Sequence, residues 1–153
     1  MNTASHPPAK SLRVAIVLLG ALALLQIIRA AAFFIIQDIR AGKTPVEWLF
    51  PASVDVFVGV AALFVALALW TRKGLAVWTI AIVFFCISIS DHLGAITVVL
   101  NTKGPLPAMM SGAPSSTAIT LAIMTLVEAF AVWVLTWKSL RVHYLGPQVN
   151  STP

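Results

Sequence analysis

Charged and titratable residues interrupt the apolar stretches of this sequence at five positions. Asp91 and His92 are adjacent in the stretch FFCISISDHLGAITVVL, and Arg29, Asp55 and Glu128 lie in other apolar stretches. Carboxylates and an imidazole can hold a proton or bind a cation, whereas a guanidinium pairs with carboxylates. Because a charged side chain costs roughly 2.5–3.5 kcal/mol at the centre of a membrane helix, these five residues are the candidate ligand- or ion-binding site.

The Asp91-His92 pair does not match a catalytic motif. Adjacent residues on a helix point about 100° apart, so the two side chains must diverge. Ser88 precedes both by one turn, but His92 would have to reach Ser88 and Asp91 together to form a triad. We therefore predict no catalytic residues. Acid–base chemistry by His92 on a lipid or a quinone stays open as an alternative.

The sequence also gives little support for a metal or another cofactor. The apolar stretches contain one histidine, and the single cysteine, Cys86, excludes an intrachain disulfide, a CxxC redox pair and a Cys-rich zinc site. We predict that Cys86 is a small packing residue. No Gly-rich phosphate loop is present and the basic residues are scattered, so neither a cofactor nor a nucleic-acid partner is predicted.

The composition indicates where the chain resides. Hydrophobic residues make up 59% of the 153 residues and charged residues only 10%. A soluble domain has about 25% charged residues, so this chain has too few to cover a surface that faces water. The lipid bilayer is therefore the first expected partner.

Four apolar stretches approach or exceed the ~20 residues needed to cross a bilayer. They cover about residues 14–36, 52–71, 75–100 and 117–137. Because lipid cannot satisfy free backbone groups, each must be a helix. We predict an all-α integral membrane protein, a bundle of four transmembrane helices with antiparallel up-down packing. One membrane domain (13–137) would lie between a disordered leader (1–12) and a tail (138–153).

The basic residues orient this predicted bundle. One side carries Lys10, Arg13, Arg72, Lys73, Lys138 and Arg141, and the other carries Arg40, Lys43 and Lys103. The positive-inside rule therefore puts both termini in the cytoplasm. A cytoplasmic (plasma) membrane of the bacterial type is the predicted location.

The first span has a second interpretation. Basic residues, then VAIVLLGALALLQII, then RAAAFF resemble a secretory signal peptide with cleavage near residues 30–32. The apolar character continues through FFII for a full span, which favours a retained helix. Cleavage would leave three spans, and an intact mass would distinguish the two cases.

Helical geometry predicts where the charged residues meet. At ~1.5 Å rise per residue, Arg29, Asp55, Asp91 and His92 lie at a similar depth in the outer half, with Glu128 beneath them near the midplane. On the second span, Asp55 begins a face of small residues that lets helices approach closely. The supporting polar side chains, each one helical turn from a charged residue, are Gln26, Ser88 and Thr125.

The charge count favours one function without excluding others. One arginine faces up to three carboxylates, and such an excess in low dielectric holds a proton or binds a cation. The first hypothesis is therefore a membrane protein that binds or passes a proton, a cation or a small ligand. The alternative is a non-catalytic accessory or assembly subunit, in a homo-oligomer or with a membrane-protein partner. A small enzyme acting on a lipid or quinone is the third.

Overall fold

The computed structural model describes residues 9–101, 106–108, 110 and 113–146. These residues form helices and their connections, with no strand among them. The α-helices are α1 (Ala9–Leu25), α2 (Phe33–Arg40), α3 (Leu49–Thr71), α4 (Leu75–Asn101), α5 (Pro114–Leu135) and α6 (Lys138–Leu145). Two 3-10 segments, Gln26–Ala32 and Val46–Trp48, precede α2 and α3.

Four helical stretches are long and apolar enough to cross a membrane. They are Lys10–Arg40, Val46–Thr71, Leu75–Asn101 and Pro114–Leu135. The prediction of an all-helical chain with four such helices is thus confirmed for the described residues. Large apolar side chains on their outer faces, including Phe57, Phe64, Ile123 and Leu126, are between 55% and 70% exposed. An apolar outer surface of this kind is typical of a membrane helical bundle.

The first stretch differs from the uniform α-helix that the sequence predicted. It changes from α1 to the 3-10 segment Gln26–Ala32 and then to α2. The segment packs closely on α3 at Gly59, where an added Cβ would lie 2.2 Å from the backbone nitrogen of Ala30. A 3-10 helix has three residues per turn, so Gln26 and Arg29 lie directly in line on one face.

The chain ends also depart from the predicted domain limits. The predicted disordered leader, 1–12, overlaps α1 at residues 9–12, and residues 1–8 lie outside the described part of the chain. The predicted tail contains α6, and residues 147–153 are likewise outside the described part. Leu140 and Tyr144 share one face of α6 and are buried. The hydroxyl of Tyr144 donates to the carbonyl oxygen of Leu69 at 3.0 Å, which holds α6 against the end of α3.

Two apolar clusters fill the interior of the bundle. One includes Leu19, Ala23, Ala62, Phe85 and Leu135, and the other includes Ala32, Ile35, Trp48, Ala52 and Ala95. On α4, Phe85 belongs to the first cluster and Ala95 to the second, with Asp91 and His92 between them. The buried polar residues therefore form a layer with apolar packing on both sides.

Candidate functional site

The guanidinium of Arg29 is the centre of the buried polar layer. Its side chain is 8% exposed, and the 3-10 segment directs it into the bundle. Nε donates to Oδ1 of Asp55 on α3, and Nη2 donates to Oδ2 of Asp91 on α4. Nη1 donates to the hydroxyl oxygen of Ser88, also on α4. One cation thus joins the first of the four long apolar helical stretches to the second and the third.

Glu128 brings α5 into the same network. Its side chain is 1% exposed, and Oε1 accepts a hydrogen bond from the Ser88 hydroxyl at 2.6 Å. The same oxygen lies 3.7 Å from Nη1 of Arg29. The sequence predicted that Glu128 lies beneath the other charged residues, and its carboxylate nonetheless contacts Arg29 and Ser88. Ser88 lies between Arg29 and Glu128 and forms a hydrogen bond with each of them.

His92 contacts Glu128 rather than Asp91. Its Nδ1 lies 3.1 Å from Oε2 of Glu128, close enough for an ion pair. The direction of the ring N–H does not suit a hydrogen bond, however, and both atoms are buried without a hydrogen-bond partner. We therefore regard the pair as an electrostatic contact and not as a formed hydrogen bond. The two neighbours on α4 diverge, Asp91 toward Arg29 and His92 toward α5.

The cluster of Arg29, Asp55, Asp91, His92 and Glu128, hereafter the Arg29 cluster, contains more acid than base. Three carboxyl groups surround one guanidinium, which leaves two carboxylates in excess if all ionise and His92 is neutral. The carboxyl groups of Asp55 and Asp91 also interact electrostatically with each other. Oδ1 of Asp91 is a further buried oxygen without a hydrogen-bond partner. Buried polar atoms without partners cost about 1–3 kcal/mol each, so these atoms favour an added proton.

The three predicted supporting residues behave differently. Oε1 of Gln26, one 3-10 turn before Arg29, lies 3.3 Å from Nη1 and accepts its hydrogen bond. Ser88 joins Arg29 to Glu128. Thr125 stays outside the cluster, because its hydroxyl donates to the carbonyl oxygen of Leu121 on its own helix at 2.9 Å. Such a local bond is a common alternative for a threonine within a helix.

A groove between α3 and α4 leads from the outer surface of the bundle to Asp91. It has a volume of about 320 Å³ and is lined mainly by apolar side chains such as Val54 and Ile87. Cys86 and Ser90 also line it. Cys86 is exposed, so its prediction as a packing residue is wrong. It lies on the outer side of α4, a face that the apolar sequence around it could not distinguish from the inner one.

Neither the side-chain geometry nor similarity to other proteins identifies a cofactor. Within the described ranges, no three histidine, cysteine, aspartate or glutamate side chains are grouped as metal ligands. Comparison of the chain with protein families, curated proteins and solved structures found no match. The function is therefore inferred from the Arg29 cluster itself.

Proposed function

We propose that this protein is a four-span membrane protein that binds a proton in the Arg29 cluster. The observation that carries the proposal is the excess of acid: three carboxyl groups surround one guanidinium, in a layer with side chains at most 16% exposed. Two excess negative charges at this depth are unfavourable, since charged groups lose their hydration there. A proton shared within the cluster removes part of that excess.

The atoms that would take the proton belong to α4 and α5. Nδ1 of His92 and Oε2 of Glu128 are 3.1 Å apart, and Oδ1 of Asp91 is the third atom of the cluster that is buried without a hydrogen-bond partner. A proton on Glu128 or on His92 would turn the electrostatic contact into a hydrogen bond after a small rotation of the imidazole. The donor set includes one histidine that diverges from Asp91, which favours a proton over a metal ion.

The surroundings favour proton binding over proton passage. Apolar clusters lie on both sides of the cluster along the bundle, and a continuous polar path toward either end would have to cross them. The groove beside Asp91 has a mainly apolar lining, which also offers no polar path along the bundle. We therefore propose that the cluster holds its proton without net transfer between the two ends.

The proposed orientation has both termini in the cytoplasm, in a cytoplasmic membrane of the bacterial type. The start of α1, the turn between α3 and α4, and α6 share one end, because Arg13, Arg72 and His143 line a common pocket. That end carries most of the basic residues, which supports a cytoplasmic location by the positive-inside rule. The first span would be retained, since cleavage near residues 30–32 would remove Arg29 and leave three carboxyls without a cation.

Infrared spectroscopy of the reconstituted protein tests the proposal, because a protonated carboxyl has a C=O absorption that a carboxylate lacks. The wild type should show this band at neutral pH. Asp91→Asn or Glu128→Gln should remove or shift it. Glu47→Gln, which changes an exposed acid outside the cluster, is the matched control and should leave the band unchanged. A wild-type spectrum without a protonated carboxyl at neutral pH would contradict proton binding.

The second candidate function is that of an accessory or assembly subunit. It is favoured by the direct pairing of Arg29 with Asp55, Asp91 and Ser88, which ties three spans together without an intervening ligand. In that case Asp91→Asn and Glu128→Gln would lower thermal stability without changing any pH-dependent signal. The same two variants therefore separate the candidates.

A further inference from the structure

A pocket of about 450 Å³ lies at the end of the bundle opposite the α2–α3 connection and shares no lining residue with the Arg29 cluster. Arg13 of α1, Arg72 and Lys73 of the α3–α4 turn, and His143 of α6 line its polar part. Trp70, which is 41% exposed, lines it beside apolar side chains of α1 and α3. The pocket thus joins three separate parts of the chain around a basic opening and an apolar wall.

The cationic side chains that line this pocket have no acidic side chain beside them in the lining. Its lining includes three permanent cations and no aspartate or glutamate. Of the five acids in the chain, three belong to the Arg29 cluster, and the other two, Asp38 and Glu47, flank the connection between α2 and α3. Among the described residues, none of Arg13, Arg72 and Lys73 forms an ion pair with any of them. An anion would therefore meet charges that are not already neutralised.

His143 lies in the same pocket and responds to its charge. Burial, and then the positive charge of the neighbouring Lys73, hold the pKa of His143 below its ordinary value. A bound anion would oppose the effect of Lys73, because a negative charge nearby favours the protonated imidazole. The pKa of His143 should therefore rise when the pocket is filled, which gives a direct spectroscopic signal of binding.

The shape of the pocket distinguishes between kinds of anion. Arginine and lysine donors suit phosphate oxygens, and arginine can bind two of them at once. The apolar side chains of Ile16, Val17 and Leu69 continue from the basic opening along α1 and α3. A tryptophan at the same level is typical of the interface between lipid headgroups and acyl chains. These features suit a molecule with a charged phosphate at one end and hydrocarbon at the other.

We propose that this pocket binds the phosphate headgroup of an anionic phospholipid, with the acyl chains lying along the apolar surfaces of α1 and α3. Basic pockets between membrane helices on the cytoplasmic side are known to take such headgroups. The inference depends on the membrane location of the bundle and not on proton binding by the Arg29 cluster. Either proposal can therefore fail while the other stands.

Lipid retention measured by native mass spectrometry tests the proposal on the full chain in detergent. The probe is phosphatidylglycerol, and phosphatidylcholine is the zwitterionic comparison. Phosphatidylglycerol should be retained preferentially, and Arg72→Gln with Lys73→Gln should weaken its binding about fivefold for each cation removed. The matched control is Lys138→Gln with Arg141→Gln, which removes two cations from α6 that do not line the pocket. The control should bind phosphatidylglycerol as the wild type does.

Equal retention of the two lipids, or equal weakening in both double variants, would overturn the proposal, because it would reduce the effect to general surface charge. The second measurement is an NMR titration that gives the pKa of the His143 ring. The His143→Gln variant assigns the signal, and the titration requires only that the protein is folded. Phosphatidylglycerol should raise the pKa of His143. If inorganic phosphate alone raises it equally, the site takes a soluble anion and the assignment to a lipid is wrong.

Discussion

Nδ1 of His92 and Oε2 of Glu128 lie 3.1 Å apart inside the bundle, yet the angle between them leaves both atoms without a hydrogen bond. A proton on either group, with a small rotation of the imidazole, would form that bond. Within the Arg29 cluster, the contact between His92 and Glu128 is therefore the one that a change of protonation would alter most. It connects α4 to α5, two helices that pack along their length.

Replacing Glu128 by glutamine tests this contact. The amide oxygen of Glu128→Gln can accept from Ser88 as Oε1 does at 2.6 Å, and its NH2 can donate to His92. The free energy of unfolding should therefore change by no more than about 1 kcal/mol, measured by denaturant titration in mixed micelles. Glu128→Ala should lose about 2–3 kcal/mol, because Ser88 loses its acceptor and a cavity remains. Equal losses in both variants would contradict this account of the pair.

Removal of the cation should be the most destabilising change in the cluster. Arg29→Met keeps much of the side-chain volume but leaves Asp55, Asp91 and Glu128 without a positive partner. Breaking a buried ion pair in this way costs about 3–5 kcal/mol of unfolding free energy. In a double-mutant cycle, Asp91→Asn should restore part of that loss, since it removes one uncompensated carboxylate. An Arg29→Met protein as stable as the wild type would exclude a net ionic network.

Gly59 sets the distance between α3 and the 3-10 segment that carries Arg29. In Gly59→Ala the new Cβ would lie 2.2 Å from the backbone nitrogen of Ala30, which cannot move as a side chain could. We expect a loss of about 1–3 kcal/mol and a displacement of Arg29 from its partners. Gly94→Ala is the matched control on α4, because nothing lies within 4 Å of its new Cβ. The control should be neutral or more stable by up to about 1 kcal/mol.

The single tyrosine of the chain makes the docking of α6 measurable. Burial raises the pKa of Tyr144 to about 12, and its hydroxyl donates to Leu69 at 3.0 Å. Absorbance of the phenolate should therefore appear with a midpoint near that pH. Because the unfolded chain ionises at about pH 10, the folded state should lose stability as the pH rises from about 10 to the folded value.

Tyr144→Phe is the control for the tyrosine titration. It should remove the phenolate signal and the alkaline loss of stability that it causes. It should also lower the free energy of unfolding at neutral pH by about 1 kcal/mol, the usual value of one hydrogen bond. A midpoint near the ordinary tyrosine value in the wild type would indicate that α6 is not docked on α3.

Cys86 provides a probe of the groove beside Asp91, because it is the single cysteine and is exposed there. In reconstituted protein it should react with membrane-permeant N-ethylmaleimide but slowly with a charged methanethiosulfonate reagent. The change in intact mass measures both reactions. Ser116→Cys in a Cys86→Ser background, at the exposed start of α5, should react with both reagents. Fast reaction of Cys86 with the charged reagent would show that the groove faces water.

The sequence alone determined the four long apolar helices, because their length and composition are local properties that need no long-range contact. It also identified Arg29, Asp55, Asp91, His92 and Glu128, since charged residues in such spans are rare. Helical angles alone further indicated that Asp91 and His92 diverge. These properties are local, and each can be obtained from one stretch of chain.

The tertiary structure decided which of these residues meet and how. The 3-10 segment around Arg29 packs closely against Gly59, a contact between distant parts of the chain that no local pattern specifies. The rotation of each helix about its axis put Cys86 outside, left Thr125 bonded to its own helix, and let Glu128 reach Ser88. Rotation and depth depend on packing against neighbouring helices, so composition and periodicity could not supply them.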